Sequence, residues 1–120
     1  MNKSEGDLLH LKHIFDCIDK VERFMSYRKK KNYDIDLIEA GIVRYLQIMA
    51  ESTQKISPSL KLSVTDIPWH SLSVFRNVLV HDYLGIDMDE IYQTIKSDLP
   101  KLKKRVKKMI EFVEAKQKNS

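Results

Sequence analysis

Apolar residues recur every three or four positions along most of the chain, and this spacing is the feature that most limits the fold. It places them on one face of an α-helix, whereas a half-buried strand would alternate apolar and polar residues. No alternating run of strand length occurs, and the 120 residues include only three glycines and three prolines. The sequence therefore predicts an all-α protein.

Capping residues mark the first two predicted helices. The first carries an apolar stripe over residues 8–25, and Ser4 with Asp7 forms a predicted capping box at its start. The second begins near Asp34 or Asp36, because an aspartate side chain can accept a hydrogen bond from an unpaired first-turn amide.

Prolines and a glycine delimit the third predicted helix. The sequence Ser-Pro-Ser at 57–59 stops the second helix, and a polar connection follows it. Asp66 and Pro68 then mark the start of the third helix, and Gly85 marks its end. This helix carries the residues that indicate a function.

The fourth predicted helix is interrupted. The acidic run 87–90 caps its start, and an apolar stripe continues to Val113. Pro100 has no N–H for the carbonyl of Lys96, so we expect a kink or short break there. Four amphipathic helices with short connections predict an up-and-down four-helix bundle with a kinked or broken C-terminal helix.

Composition narrows the class of protein further. A chain of 120 residues without internal repeats suits one domain over 1–120. Cys17 is the only cysteine, so an intrachain disulfide is excluded. Because no apolar run approaches the roughly 18 residues of a membrane span and the first residues are too polar for a signal peptide, we expect a cytoplasmic protein without a membrane partner.

The net charge of +4 is concentrated in two basic clusters. One is the run Arg28-Lys29-Lys30-Lys31, and the other spans positions 101–108 without an acidic residue. Either cluster can bind phosphates, or both can be solvated surfaces. The candidate RNA-binding residues in the second cluster are Lys101, Lys104, Arg105 and Lys108.

Three residues of the third helix carry the functional signal. Arg76 is followed by His81 after four residues, and Tyr83 follows after one more. This pattern resembles the signature of the HEPN superfamily, specifically its HepT-like branch. Further segments similar to that branch in type and spacing are 68–69, 85–87 and 98–102.

Helical geometry separates two of these side chains. Five residues advance a helix by about 500°, so Arg76 and His81 project roughly 140° apart, whereas Arg76 and Tyr83 project within about 20°. A site that uses both the arginine and the histidine would gain from a second copy across a two-fold axis. The spacing therefore predicts a homodimer with the third helices near the interface, which the resemblance also implies.

The chemistry of the pair suits RNA cleavage without a metal ion. Histidine titrates near neutrality, so His81 can take a proton from a ribose 2′-hydroxyl or return one to a leaving 5′-oxygen. The guanidinium of Arg76 can hold the phosphate and stabilise charge on its oxygens. Similarity to HepT implies a toxin that acts as an endoribonuclease, and the sequence indicates neither a cofactor nor a metal ligand set for it.

The resemblance also implies a partner. In the HepT-like branch, a small nucleotidyltransferase antitoxin of the MntA type transfers AMP to the motif tyrosine, here Tyr83. Added negative charge and bulk beside Arg76 would block the place of a substrate phosphate. Asn77 and Asp82 are supporting candidates that could orient His81 or bind substrate.

Other interpretations remain open at this point. The chain could be a catalytically inactive HEPN subunit that binds a nucleotidyltransferase, or a helical bundle that binds nucleic acid through the second basic cluster. Arg76 could pair with Asp82 or with an acid on another helix, and His81 could be a hydrogen-bonded histidine of the bundle. The spacing of His10, His13 and Cys17 is compatible with three metal ligands, but no fourth ligand is evident.

Overall fold

The computed structural model describes residues 3–30, 32–81, 85 and 87–119, with the backbone alone for residues 3, 4, 78, 80 and 81. These described residues form six α-helices and no β-strand, which confirms the predicted all-α class. The helices are α1 (Lys3–Arg28), α2 (Ile35–Gln54), α3 (Pro58–Ser63), α4 (Trp69–His81), α5 (Met88–Ser97) and α6 (Leu99–Lys118). Among these described helices, none is long and apolar enough to cross a bilayer.

The core lies where α1 packs along α2 and α6. Leu11, Ile14 and Ile18 of α1 are at most 1% exposed, and they belong to one cluster with Ile42 and Leu46 of α2. Burying an aliphatic side chain of this size stabilises a fold by about 1.5–3 kcal/mol. Helix α2 also contacts α4. Because the core fixes the position of α2, it also fixes the surface against which α4 packs.

Gly41 of α2 lies against the ring of Phe24 of α1. A Cβ atom at this position would lie 2.5 Å from Cε2 of Phe24, which is closer than two carbon atoms can come without a shift. The absence of a side chain at Gly41 therefore allows the aromatic ring of α1 to pack directly against the backbone of α2.

Two predicted helix starts are confirmed. Asp34 is the N-cap of α2, and its side chain accepts a hydrogen bond from the amide of Asp36 at 2.9 Å. Asp87 caps α5 in the same way, accepting from the amide of Asp89 at 3.0 Å. Both starts depend on bonds between residues two apart, so the local sequence is enough to locate them.

The connection after α2 contains a helix that the sequence interpretation missed. Ser57 caps α3 by accepting from the amide of Leu60, and Pro58 occupies the first helical turn, where its missing N–H costs no bond. The Ser-Pro-Ser sequence thus follows the end of α2, as predicted, and also begins α3.

The predicted capping box at Ser4 and Asp7 is wrong. Helix α1 already includes Lys3, so Ser4 lies inside the helix. The buried carboxylate of Asp7 instead accepts hydrogen bonds from the amide of Ser57 at 2.7 Å and from its hydroxyl at 2.6 Å. Asp7 therefore connects α1 to the start of α3 across 50 positions of sequence.

The predicted break in the last helix is confirmed, but it lies before Pro100. Helix α5 ends at Ser97 and α6 begins at Leu99, with Asp98 as the junction. Pro100 lies in the first turn of α6, where its ring is tolerated. Together with α3, this break gives six helices in the described part of the chain instead of the four predicted.

Helix α4 begins directly after Pro68, as predicted. The predicted end at Gly85 follows residues 82–84, which lie outside the described residues. The up-and-down bundle order, the homodimer and the single domain over 1–120 stay predictions.

Candidate active site

Helix α4 is held against α2 by three polar contacts. They are spaced every three residues along α4, and their partners run in the opposite direction along α2, so the two helices are antiparallel. The donor and acceptor pairs are Ser73 Oγ to Gln54 Oε1 at 3.2 Å, Arg76 Nε to Glu51 Oε2 at 2.9 Å, and Gln47 Nε2 to the carbonyl of Leu79 at 2.7 Å.

Arg76 occupies the middle of this series. Its Nε donates to the carboxylate of Glu51, and its Nη1 donates to the side-chain oxygen of Asn77 at 3.1 Å. The arginine side chain is 29% exposed and the glutamate side chain 44%, so the pair is open to solvent and contributes at most about 1 kcal/mol to stability. Its main consequence is orientation, because it holds one edge of the guanidinium against α2.

The Nη groups of Arg76 have few partners among the described residues. Among the described residues, only Glu51 and Asn77 bond Arg76, and neither engages Nη2. Arginine binds phosphate through two parallel N–H groups, and the partly exposed Nη edge can present such groups. Arg76 thus pairs with an acid on another helix, as one interpretation proposed, and can still bind an anion.

Sequence reasoning did not identify Glu51. This glutamate lies 25 positions before Arg76, and nothing in its local sequence distinguishes it from other acids of the chain. Only the antiparallel contact of α2 with α4 brings the two residues together.

The remaining motif residues are placed only in part. His81 is the last residue of α4, and its backbone alone is described. Asp82 and Tyr83 lie outside the described residues. Asn77 is exposed, and its side-chain oxygen accepts the hydrogen bond from Nη1 of Arg76, so in this structure it contacts the arginine.

A groove opens beside this contact, along a neighbouring face of α4. It has a volume of about 670 Å³ and lies between α4, the junction of α5 with α6, and the second half of α2. All four candidate RNA-binding residues line it. Arg105 forms an ion pair with Asp66 at 3.0 Å, and within the described part of the chain the other three, Lys101, Lys104 and Lys108, form no ion pair.

The site lies within a sequence region shared with known proteins. The family model described as "Ribonuclease HepT-like" matches residues 14–109, which is more than three-quarters of the chain and includes the whole of α2 to α5. The chain belongs to the HepT-like ribonuclease family. This confirms the resemblance drawn from the Arg76 motif.

Individual relatives of this HepT-like protein agree with the family. It is 27% identical over 111 residues to "Putative RNase MJ1216" of Methanocaldococcus jannaschii, covering 89% of this chain and 92% of the relative. It is 28% identical over 110 residues to "Probable ribonuclease HepT" of Thermococcus cleftensis, covering 91% and 98%. "Putative RNase MJ1380" of M. jannaschii is 27% identical over 97 residues, which cover 78% and 89%. No solved structure matches the chain.

The first basic cluster of this HepT-like chain is partly engaged in packing. The guanidinium of Arg28 lies 3.7 Å from the ring centroid of Tyr92, whose hydroxyl donates to Glu39. Burial, followed by the bond to Glu39, raises the pKa of Tyr92 to about 12. Lys30 lies 5.7 Å from the ring centroid of Tyr27.

The histidines of α1 form no metal centre in the described part of the chain. No group of three His, Cys, Asp or Glu side chains there is arranged to hold a metal ion. Cys17 is buried in the core, where desolvation raises its thiol pKa. Nδ1 of His10 is buried and has no hydrogen-bond partner among the described residues, and burial lowers the pKa of His10.

Proposed function

We propose that this HepT-like ribonuclease is the toxin of a toxin–antitoxin pair and cleaves RNA by a metal-independent reaction at Arg76 and His81. The observation that carries the proposal is the orientation of Arg76: Glu51 holds its Nε edge, the side chain is 29% exposed, and Nη2 has no partner among the described residues. Arginine held in this way stabilises charge that develops on phosphate oxygens without reorganising during the reaction.

The reaction follows from the chemistry of the two side chains. The neutral imidazole of His81 accepts the proton of a ribose 2′-hydroxyl, and the 2′-oxygen attacks the adjacent phosphorus. The bond from phosphorus to the 5′-oxygen breaks, and the leaving oxygen takes a proton from an imidazolium. The products are a 2′,3′-cyclic phosphate and a free 5′-hydroxyl, and DNA is not cut because it lacks the attacking hydroxyl.

A homodimer would complete the site. Arg76 and His81 project roughly 140° apart on one helix, so an arginine and a histidine from two subunits can meet more readily than those of one. An exposed stripe of α4 that includes His70 and Val74, the latter 50% exposed, offers a surface for such a contact.

Regulation would act on Tyr83. We propose that an MntA-type nucleotidyltransferase transfers AMP from ATP to the Tyr83 hydroxyl, with release of pyrophosphate. The phosphodiester adds negative charge on the stripe of Arg76, where a substrate phosphate would otherwise bind. Asp82 and Asn77 are proposed to support His81 and Arg76.

A cleavage assay tests the nuclease directly. Labelled single-stranded RNA is incubated with the protein in the presence of EDTA, and the products are examined for a 2′,3′-cyclic phosphate. His81→Ala should abolish cleavage and Arg76→Ala should lower it by about 10²–10³-fold, whereas the matched controls Arg23→Ala and His13→Ala, at exposed positions of α1, should retain it. Absence of cleavage by the wild-type protein at every concentration would favour the inactive HEPN subunit instead.

A mass measurement tests the regulation. Incubation with the cognate transferase and ATP should add about 329 Da per AMP, the chemical mass of an adenylyl group. Tyr83→Phe should take up none. If Tyr83→Phe is modified to the same extent as the wild type, Tyr83 is not the acceptor.

A further inference from the structure

The groove beside α4 has the size of a small-molecule site. Its volume of about 670 Å³ falls in the range of about 300–1,000 Å³ typical of ligand pockets. Helix α4 forms one wall, the α5–α6 junction forms the other, and Leu46 and Met49 of α2 close the bottom. The ion pair of Arg105 with Asp66 connects α6 to the segment before α4.

The floor of the groove is apolar and contains one aromatic ring. Leu72 and Phe75 of α4 face Ile95 of α5 and Leu102 of α6 across it. Phe75 is only partly buried although it packs against the core, so part of its ring borders the open space. A flat, apolar group can stack there, because aromatic rings bind bases through their faces.

Helix α6 contributes four basic residues to the rim of the groove, where Asp66 and Asp98 also lie, and only Arg105 of the four is paired with an acid among the described residues. Lys101, Lys104 and Lys108 are exposed, line the groove and form no ion pair with any described residue. Lys103 on the same helix differs, because it lies 2.8 Å from both Asp19 and Glu22 of α1. The three lysines on the groove side of α6 therefore have no acidic partner among the described residues and can bind an anion.

We propose that this groove binds an unpaired nucleotide of the RNA, with its base against Phe75 and neighbouring phosphates along Lys101, Lys104 and Lys108. The inference rests on the proposed RNA substrate. A single strand carries phosphates along one edge and bases along the other, and a rim of lysines beside an apolar floor can bind both. An acidic peptide could also bind the lysines of the rim, but it would not account for the position of the groove next to Arg76 on α4.

The groove adjoins the candidate catalytic residue. Phe75 and Arg76 are consecutive in α4 and project about 100° apart around the helix. A strand whose base occupies the groove therefore has to turn only part of the way around α4 to place a phosphate at Arg76. The groove would hold the strand beside the cleavage site and select single-stranded over paired RNA.

A binding assay tests the proposal independently of cleavage. The probe is a fluorescein-labelled, fully 2′-O-methylated single strand of 12 nucleotides, which lacks the attacking hydroxyl. Anisotropy is followed between 50 and 200 mM KCl for the triple variant Lys101→Gln, Lys104→Gln, Lys108→Gln. The control triple variant Lys96→Gln, Lys107→Gln, Lys118→Gln loses the same charge at exposed positions that do not line the groove.

We expect the groove variant to lose at least about tenfold in affinity and to lower the slope of log K against log salt by about 2, since each single-strand phosphate contact contributes about 0.7. The control should change the slope by much less.

The variant Phe75→Leu should weaken binding roughly tenfold without changing the slope. The matched variant Phe15→Leu, at a partly buried aromatic residue of α1, should not weaken binding. Circular dichroism checks folding, and photocrosslinking of the wild type to a 5-iodouridine strand should modify the peptide containing Phe75.

Several outcomes would overturn the groove proposal. Equal binding by the two triple variants would do so, as would a crosslink confined to other peptides. If the groove variant loses its dimer but keeps RNA binding, the groove binds a second copy of the chain. If the groove binds an acidic peptide and not RNA, its ligand is a protein. An assay with unmodified RNA separates the two proposals. If the wild type cleaves this RNA but the groove variant binds it equally well, only the groove proposal is refuted. If the groove variant binds it more weakly but the wild type does not cleave it, only the nuclease proposal is refuted.

Discussion

The two sides of α4 differ in how they meet their neighbours. Toward α2, the helix has three polar contacts and the fully buried Leu79. Toward α6, it borders an open groove with a partly buried Phe75 and, on α6, lysines that have no ion pair with any described residue. The bonded side holds Arg76 in place and the open side leaves room for a ligand, so one helix can both orient a catalytic group and bind substrate.

The largest expected effect tests the bonded side. Leu79→Ala removes a side chain with no solvent exposure, so we expect it to lower the free energy of unfolding by about 2–5 kcal/mol in urea denaturation. Leu72→Ala on the groove side should cost less than half as much, because Leu72 is only partly buried and water can fill the space. Equal losses for the two variants would contradict the distinction between the two sides.

The next effect concerns Arg76 itself. Arg76→Ala should lower kcat on RNA by about 10²–10³-fold, the cost of removing one group that stabilises transition-state charge. Its free energy of unfolding should fall by no more than about 1 kcal/mol, because the pair with Glu51 is open to solvent. Single-turnover cleavage and urea denaturation measure the two quantities, and a loss of stability large enough to explain the loss of activity would assign Arg76 a structural role.

A smaller effect should follow from Glu51→Gln, which keeps the shape of the side chain but removes its charge. We expect kcat to fall several-fold with KM little changed, because Glu51 positions the guanidinium and does not touch the substrate. Glu114→Gln is the matched control, since Glu114 pairs with Lys12 at an exposed site away from α4. Full activity of Glu51→Gln would show that the pair does not orient Arg76.

An effect seen only at high pH is expected at the other end of α2, where Tyr92 donates to Glu39. The pKa of Tyr92 is raised to about 12, above the value of 10 in an unfolded chain, so its contribution is complete below pH 10 and is lost as the pH rises toward 12. Between pH 10 and 12, the free energy of unfolding of Tyr92→Phe should therefore decrease less than that of the wild type. The control Tyr33→Phe, at an exposed ring, should follow the wild type.

Neighbouring residues of α6 show why the site was harder to predict than the fold. Lys103 and Lys104 are adjacent and chemically identical, yet Lys103 contacts two acids of α1 while Lys104 lines the groove. Their difference comes from a step of about 100° around the helix, together with the identity of the helix that each side faces. The sequence shows that both residues belong to the second basic cluster, but it does not show which of the two forms ion pairs with acidic residues of another helix.

The missed bonds have the same origin. Asp7 was interpreted as a local cap, but its carboxylate binds Ser57, and Arg76 binds Glu51 across 25 positions. Such contacts depend on the packing of whole helices. The Ser57-Pro58 signal was ambiguous for a different reason, because residues that end one helix also suit the first turn of another.

The sequence by itself determined the all-helical class, the caps at Asp34 and Asp87, the break near Pro100 and the motif that indicates the family. Each of these depends on periodicity or on bonds between residues a few positions apart. Tertiary structure decided that Glu51 orients Arg76, that Asp7 joins α1 to α3, and that a groove separates α4 from α6. The reason is geometric: these features require residues far apart in the chain to meet, and only the packing of helices on a common core brings them together.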